Sequence, residues 1–296
     1  MSRKNLSVPP RVTVPSLVAR KGKLPPVVIV TAYDAVQGRV VDAAGADAIL
    51  VGDSVGMTTL GYDSTVPVTL DDMFRHTRAV ARGQAMRLSE SGGGESPDPM
   101  EAERGGRSAL LIADLPFGAY GADPADGVRA GMRLVAEGGA QSVKLEGAGA
   151  VIRESIRRLV DSGVPVMGHL GLTPQSIHRF GGFKAQGKSV AAGDALLADA
   201  HALVEAGVWG IVLEMIPAAL AARVTGDIPA VTIGIGAGVD CDGQVQVFHD
   251  LVGLTFGPVF KHTRRYADTG AILAGAVGEH IRDVRANRFP NETNSI

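Results

Sequence analysis

Cysteine is nearly absent: Cys241 is the one thiol in 296 residues. A single thiol rules out an internal disulfide and any CxxC-type metal site, and it matches the usage of a reducing compartment, so a cytoplasmic location is expected. Basic excess is missing as well. The formal net charge is −2 and aromatics make up 4% of the chain, with no stripe of Lys and Arg interleaved with rings. Nothing here neutralises a phosphate backbone, which excludes nucleic acid as an expected partner. No apolar run reaches the roughly 18 residues that a membrane-spanning helix needs, so no membrane partner is expected either. Residues 1–24 are basic and contain no acidic residue, but Pro9, Pro10 and Pro15 interrupt them and no apolar h-region follows. Processing as a transit segment is therefore not expected; Pro15 behind Thr13 reads instead as the start of a short helix.

What is present is an ordinary globular balance, 45% hydrophobic and 20% charged, enough for a core without structural staples. A recurring pattern organises it. A helical stretch ends at glycine, an apolar run follows, and then a polar residue appears: AGADAILVGD (44–53), GGAQSVKLEG (138–147), SGVPVMGHLG (162–171) and AGVWGIVLEM (206–215). Each is a helix C-cap leading into a buried strand. Further strands fit 26–32, 109–114, 229–234 and, weakly, 252–260. Eight buried strands alternating with helices predict parallel βαβ units, and in this length a single α/β (β/α)8 TIM-type barrel over 25–286. A T-x-x-D capping box at Thr69 and Asp72 starts a helix expected to run to about Arg82 and end near Gly83. The stretch 87–106, rich in Gly, Ser, Pro and Glu, reads as a flexible acidic insertion on the face opposite the catalytic one. Residues 287–296 read as a frayed tail.

In a barrel, polar residues at the C-terminal ends of strands face the active site. Here these are Asp53 and Ser54, Asp114, Lys144 and Glu146, His169, and Glu214. Asp53, Asp114 and Glu146 end three consecutive strands, so their carboxylates should converge and call for a cation. An oxygen-only set selects a hard ion, Mg²⁺ before Mn²⁺ or Ca²⁺, held by one or two carboxylates and water. Any one of these aspartates taken alone would read equally well as a helix cap. Lys144, two residues from Glu146 and so facing the same way, is either a structural ion pair or the contact for a substrate carboxylate or enolate oxygen. Glu214 ends an almost wholly apolar strand, where a desolvated carboxylate suits the work of a carbon-acid base; the competing reading is an N-cap before Pro217. His169 orients either a substrate or Glu214, or is a satisfied core residue. The GIGAG run (234–238) lacks the GxGxxG fingerprint and reads as a tight turn or a close backbone approach. His249 and Asp250 read as structural residues of a helix.

The segments TAYD (31–34), VGDSVGM (51–57), the stretch Tyr62–Thr69, ADLPFGAY (113–120), VKLEG (143–147), GHLGLTPQS (168–176) and GIGAGVDCDGQ (234–244) resemble, in order, those of the ketopantoate hydroxymethyltransferase family. The resemblance runs from about residue 12 to residue 280. It implies a (β/α)8 barrel, Mg²⁺, and a homo-oligomer, commonly a decamer of stacked pentamers. It also implies hydroxymethyl transfer from 5,10-methylenetetrahydrofolate to 3-methyl-2-oxobutanoate, forming 2-dehydropantoate for pantothenate and coenzyme A synthesis. By motif, Asp53, Asp114 and Glu146 are implied as metal-associated carboxylates, Asp53, Ser54, Asp114 and Lys144 as substrate contacts, and Glu214 as proton acceptor. The 87–106 insertion is longer than the family's usual connection, and FKHTRRYAD (260–268) follows the family segment only loosely. Two other readings stand beside this one. A 2-oxo acid lyase of the isocitrate lyase or phosphoenolpyruvate mutase kind is disfavoured, because its catalytic cysteine has no counterpart in the VDCDG setting of Cys241. A catalytically silent barrel scaffold would be supported by a lost strand-end carboxylate, and none is lost.

Overall fold

The computed structural model describes residues 11–85, 108–255 and 260–296; residues 1–10 and the 87–106 insertion lie outside them. The chain divides into two compact units, Met1–Gln246 and Val247–Ile296.

The first unit is a closed barrel of eight parallel strands in chain order. They are β1 (Val27–Thr31), β2 (Ala48–Val51), β3 (Leu110–Asp114), β4 (Ser142–Glu146), β5 (Val166–Gly171), β6 (Gly210–Glu214), β7 (Val231–Ile235) and β8 (Gly243–Gln246). Strands β2, β3, β4 and β7 are buried at every position. Helices cover the outer face of such a barrel and packed side chains fill its interior, which is why these strands read as unbroken runs.

The eighth strand corrects the expectation at 252–260. It lies earlier, at Gly243–Gln246, and Val252 instead ends the helix Phe248–Val252. Two features hid it. The strand alternates buried and half-buried residues, with Gln244 and Gln246 at the half-buried positions, so it shows no apolar run. Its first residue packs so closely on β1 that a Cβ on Gly243 would lie 2.3 Å from the Val27 carbonyl oxygen. A glycine demanded by barrel closure looks, in sequence, like part of a turn.

The capping box forms as expected. Thr69 N–H donates to Asp72 Oδ2 and Asp72 N–H to Thr69 Oγ1, each at 3.1 Å. The helix then runs Leu70–Ala85, past the predicted stop. Gly83 does not cap it; a Cβ there would lie 2.0 Å from the Ala35 carbonyl oxygen, so the glycine serves the close crossing of this helix over helix Ala35–Ala43. A short helix, Val14–Val18, opens on a Thr13–Ser16 capping box and puts Leu17, fully buried, into the barrel core with Val27, Leu110 and Val231. Asp242 ties this segment down, accepting from Lys21 Nζ and Gly22 N–H, both at 2.8 Å, and from Thr232.

The second unit contains the helices Phe248–Val252 and Thr269–Arg285 and a 3₁₀ turn, Glu292–Asn294. His249 and Asp250 lie within the first of these helices, as predicted. The final ten residues are exposed, and Asn291 caps their 3₁₀ turn. Among the described residues no helix is long and apolar enough to cross a membrane.

Candidate active site

Strand register assembles the site. Asp114, the last residue of β3, pairs with Lys144 of β4; Glu146 pairs with His169 of β5; Gly171 pairs with Glu214 of β6. The polar strand ends therefore follow one another around one end of the barrel. Asp53 joins them from just beyond β2, its backbone N–H donating to Asp114 Oδ2 at 3.1 Å. Asp53, Asp114, Lys144, Glu146 and His169 are all at most 4% exposed, while the Glu214 side chain keeps 18% of its surface open. A lining fixed out of water, with one carboxylate left reachable, is the layout of a preorganised site.

Lys144 Nζ lies 3.0 Å from Asp114 Oδ1 and 3.9 Å from Glu146 Oε1. His169 connects the two halves of the cluster. Its Nδ1 is 3.2 Å from both Glu146 Oε1 and Lys144 Nζ, and its Nε2 is 3.2 Å from Glu214 Oε2. Burial and the Lys144 charge oppose protonation of the imidazole, but the Glu146 and Glu214 carboxylates outweigh both and push its pKa up to about 9. Burial also works against the Lys144 ammonium, yet the three buried carboxylates around it raise its pKa above the ordinary lysine value. Burial, reinforced by the charges of Glu146 and Asp114, lifts Asp53 well above the usual carboxylate range. Asp114 is raised by burial against the pull of Lys144. For Glu146, burial is overcome by His169, Lys144 and the Gln175 N–H, and its pKa is lowered.

The competing cap readings do not hold. Asp53 Oδ2 accepts from a side chain, Gln175 Nε2, at 2.8 Å rather than from a helix N-terminus. The helix Ala218–Asp227 has Pro217 at its N-cap with no side-chain cap bond, so Glu214 does not cap it. Ser54 places its Oγ 2.7 Å from the Tyr33 hydroxyl. Met215, directly after Glu214, sits at φ 49°, and Gly171 at φ 92°; a non-glycine residue in the left-handed region marks backbone strain of the kind found at functional turns.

A metal ion needs side-chain donors that converge on one point. Among the described residues no group of three or more His, Cys, Asp or Glu side chains is arranged to hold one. Two carboxylates and water suffice for Mg²⁺, and Asp53 and Asp114 fit that smaller role. Burial is the main reason their proton affinities are raised, with the neighbouring carboxylates adding to it, and a bound cation would relieve both. Asp114 Oδ1 and Glu146 Oε1 are fully buried and met only by the Lys144 ammonium and the His169 ring, and a carboxylate oxygen has further lone pairs to offer a cation. Glu146 is otherwise engaged by Gln175 N–H at 3.0 Å and by His169.

Strand-end reasoning missed Tyr120 and Gln175. Gln175 lies in a 3₁₀ turn, Pro174–Ser176, beyond β5, where neither strand nor helix periodicity marks it. The one available signal was its place in GHLGLTPQS.

The model of the ketopantoate hydroxymethyltransferase family matches residues 11–89 and 100–292. The chain is 47% identical over 288 residues to 3-methyl-2-oxobutanoate hydroxymethyltransferase of Moorella thermoacetica, covering 97% of this chain and 98% of that one. To the enzyme of the same name from Carboxydothermus hydrogenoformans it is 44% identical, covering 97% and 95%. Among solved structures, a putative phosphonomutase from Burkholderia cenocepacia shares the fold with TM-score 0.59 at 17% identity, covering 89% of this chain and 95% of that one. An oxaloacetate acetylhydrolase does so with TM-score 0.57 at 13% identity, covering 94% and 87%.

Proposed function

Given that the chain belongs to the ketopantoate hydroxymethyltransferase family and is a transferase, we propose that it carries the hydroxymethyl group from 5,10-methylenetetrahydrofolate to 3-methyl-2-oxobutanoate, with assistance from Mg²⁺. The product is 2-dehydropantoate, on the route to pantothenate. The observation that carries the mechanism is the span of His169, with one ring nitrogen against Glu146 and Lys144 and the other 3.2 Å from the partly open Glu214.

Glu214 is the base that takes the proton from C3 of the 2-oxo acid, and His169 holds its carboxylate toward the substrate. Lys144 and Ser54 receive the substrate's carboxylate and keto oxygens. The Lys144 ammonium is already buried and positioned before reaction, so it meets the enolate charge as that charge develops. A divalent cation held by Asp53 and Asp114, with Glu146 reaching it through water, would polarise the keto group and acidify the C3 hydrogen. In balance, the C3–H bond and both bonds from the methylene carbon to the folate nitrogens break, C3 and a water oxygen bond to that carbon, and the C3 proton and one water proton leave on the nitrogens of tetrahydrofolate. The reading includes a cytoplasmic homo-oligomer. Burial pushes the Cys241 thiol up, which disfavours the thiolate that a cysteine-dependent lyase would need.

The test is mass-spectrometric detection of 2-dehydropantoate from 3-methyl-2-oxobutanoate and methylenetetrahydrofolate, with Mg²⁺ and again with a chelator. Product that requires the metal is the expected result. No product in either reaction, from folded protein, overturns the proposal.

A further inference from the structure

We propose that Gln175 and Tyr120 form a positioning relay that fixes Asp53 and Glu146 in their working orientations, with Tyr120 setting which way the Gln175 amide faces while its hydroxyl also holds the Glu146 backbone. The inference rests on the proposed site and concerns two residues that no part of that mechanism uses.

The relay is a closed loop of directed hydrogen bonds. The backbone N–H of Glu146 donates to the Tyr120 hydroxyl at 3.0 Å, and that hydroxyl donates to Gln175 Oε1 at 2.6 Å. The two amide protons of Gln175 go to Asp53 Oδ2 at 2.8 Å and to the Leu115 carbonyl oxygen at 2.9 Å. The backbone N–H of Gln175 returns to Glu146 Oε2 at 3.0 Å. Tyr120 is 4% exposed and Gln175 6%, so water does not compete for these groups.

The sense of the loop is determined. Tyr120 has one proton to give, and the amide oxygen at 2.6 Å takes it in preference to the Glu146 carbonyl oxygen at 3.4 Å. That leaves the amide nitrogen facing Asp53 and Leu115, both acceptors. Turned over, the amide would set its oxygen against a carboxylate and a carbonyl in a buried site, a costly mismatch. A single residue thus holds carboxylates from the ends of β2 and β4, Asp53 through its side-chain amide and Glu146 through its backbone N–H, and a single hydroxyl decides which way that amide faces. Outer partners of this kind tune the groups they hold without touching the reacting atoms.

The experiment is a double-mutant cycle on the full-length enzyme with Gln175→Glu, Tyr120→Phe and the pair. Gln175→Glu keeps the shape but removes both amide protons; Gln175→Met, of similar length and without donors, serves where the first variant fails to fold. Three quantities are read: KM and kcat for 3-methyl-2-oxobutanoate, the Kd for Mn²⁺ alone by electron paramagnetic resonance, and the melting temperature. Gln175→Glu is expected to raise KM and the Mn²⁺ Kd by about 10- to 100-fold. Tyr120→Phe shifts both in the same direction by less, and its effect is smaller in the Gln175→Glu background than in the wild type. A lowered melting temperature with unchanged KM and unchanged Mn²⁺ Kd, or effects of the two substitutions that simply multiply, overturns the relay. Wild-type protein that binds no Mn²⁺ contradicts the metal in the proposed function instead, and the KM cycle then decides the relay by itself.

Discussion

At the scale of single residues, the site depends on which side chain carries charge and which can give it up. Glu214 is the one strand-end carboxylate with an open surface, and His169 Nε2 stands beside it at 3.2 Å. Glu214→Gln keeps the size and removes the base. Its turnover should fall by about 10²- to 10⁴-fold while KM for the 2-oxo acid changes little, as steady-state kinetics would show. His169 supplies a second prediction. Its pKa is raised from the ordinary 6.5 to about 9 in the folded protein. The stability it contributes is complete below pH 6.5 and is lost as pH rises through about 9. The melting temperature should decline across that window, and His169→Gln should flatten the decline.

At the scale of elements, close contacts between strands aim the site. A Cβ on Gly171 would lie 2.2 Å from the Glu214 carbonyl oxygen, and the residue already sits at φ 92°. Gly171→Ala should therefore cost at least about 2 kcal/mol, a fall of about 4 °C or more in melting temperature by calorimetry, and should impair turnover by displacing Glu214. Seven strands were legible because buried parallel strands are written as apolar runs closed by a polar residue, and the same rule exposed Asp53, Asp114, Lys144, Glu146, His169 and Glu214. β8 was not legible. Gly243, Gln244, Val245 and Gln246 carry no apolar run, because contact with Val27 demands a glycine at the first position. Gln175 escaped for a different reason: its role depends on Asp53, Leu115, Tyr120 and Glu146 meeting in space, and no local spacing encodes that meeting. Gly83 shows a third kind of miss, a glycine that reads as a helix stop but serves a crossing of two helices.

At the scale of the whole molecule, the barrel gathers three buried carboxylates around one lysine and one histidine, and the resulting excess of negative charge links stability to ligand. Asp53 and Asp114 are raised by burial, so their contribution to stability is full below the ordinary carboxylate range and lost as pH rises through their folded values. A bound divalent cation offsets that loss. Mg²⁺ should raise the melting temperature, by less as the pH is lowered far enough to protonate Asp53 and Asp114, with a gain of about 2.7 kcal/mol at a hundred times its Kd, and a chelator should abolish the gain. The central claim is that this ring of strand ends takes a proton from C3 through Glu214. It is tested most directly by following deuterium exchange at C3 of 3-methyl-2-oxobutanoate by proton NMR, in D₂O with Mg²⁺ and no folate. Wild-type protein should exchange the C3 hydrogen and Glu214→Gln should not; equal exchange in the two proteins would contradict the assignment of Glu214 as the base.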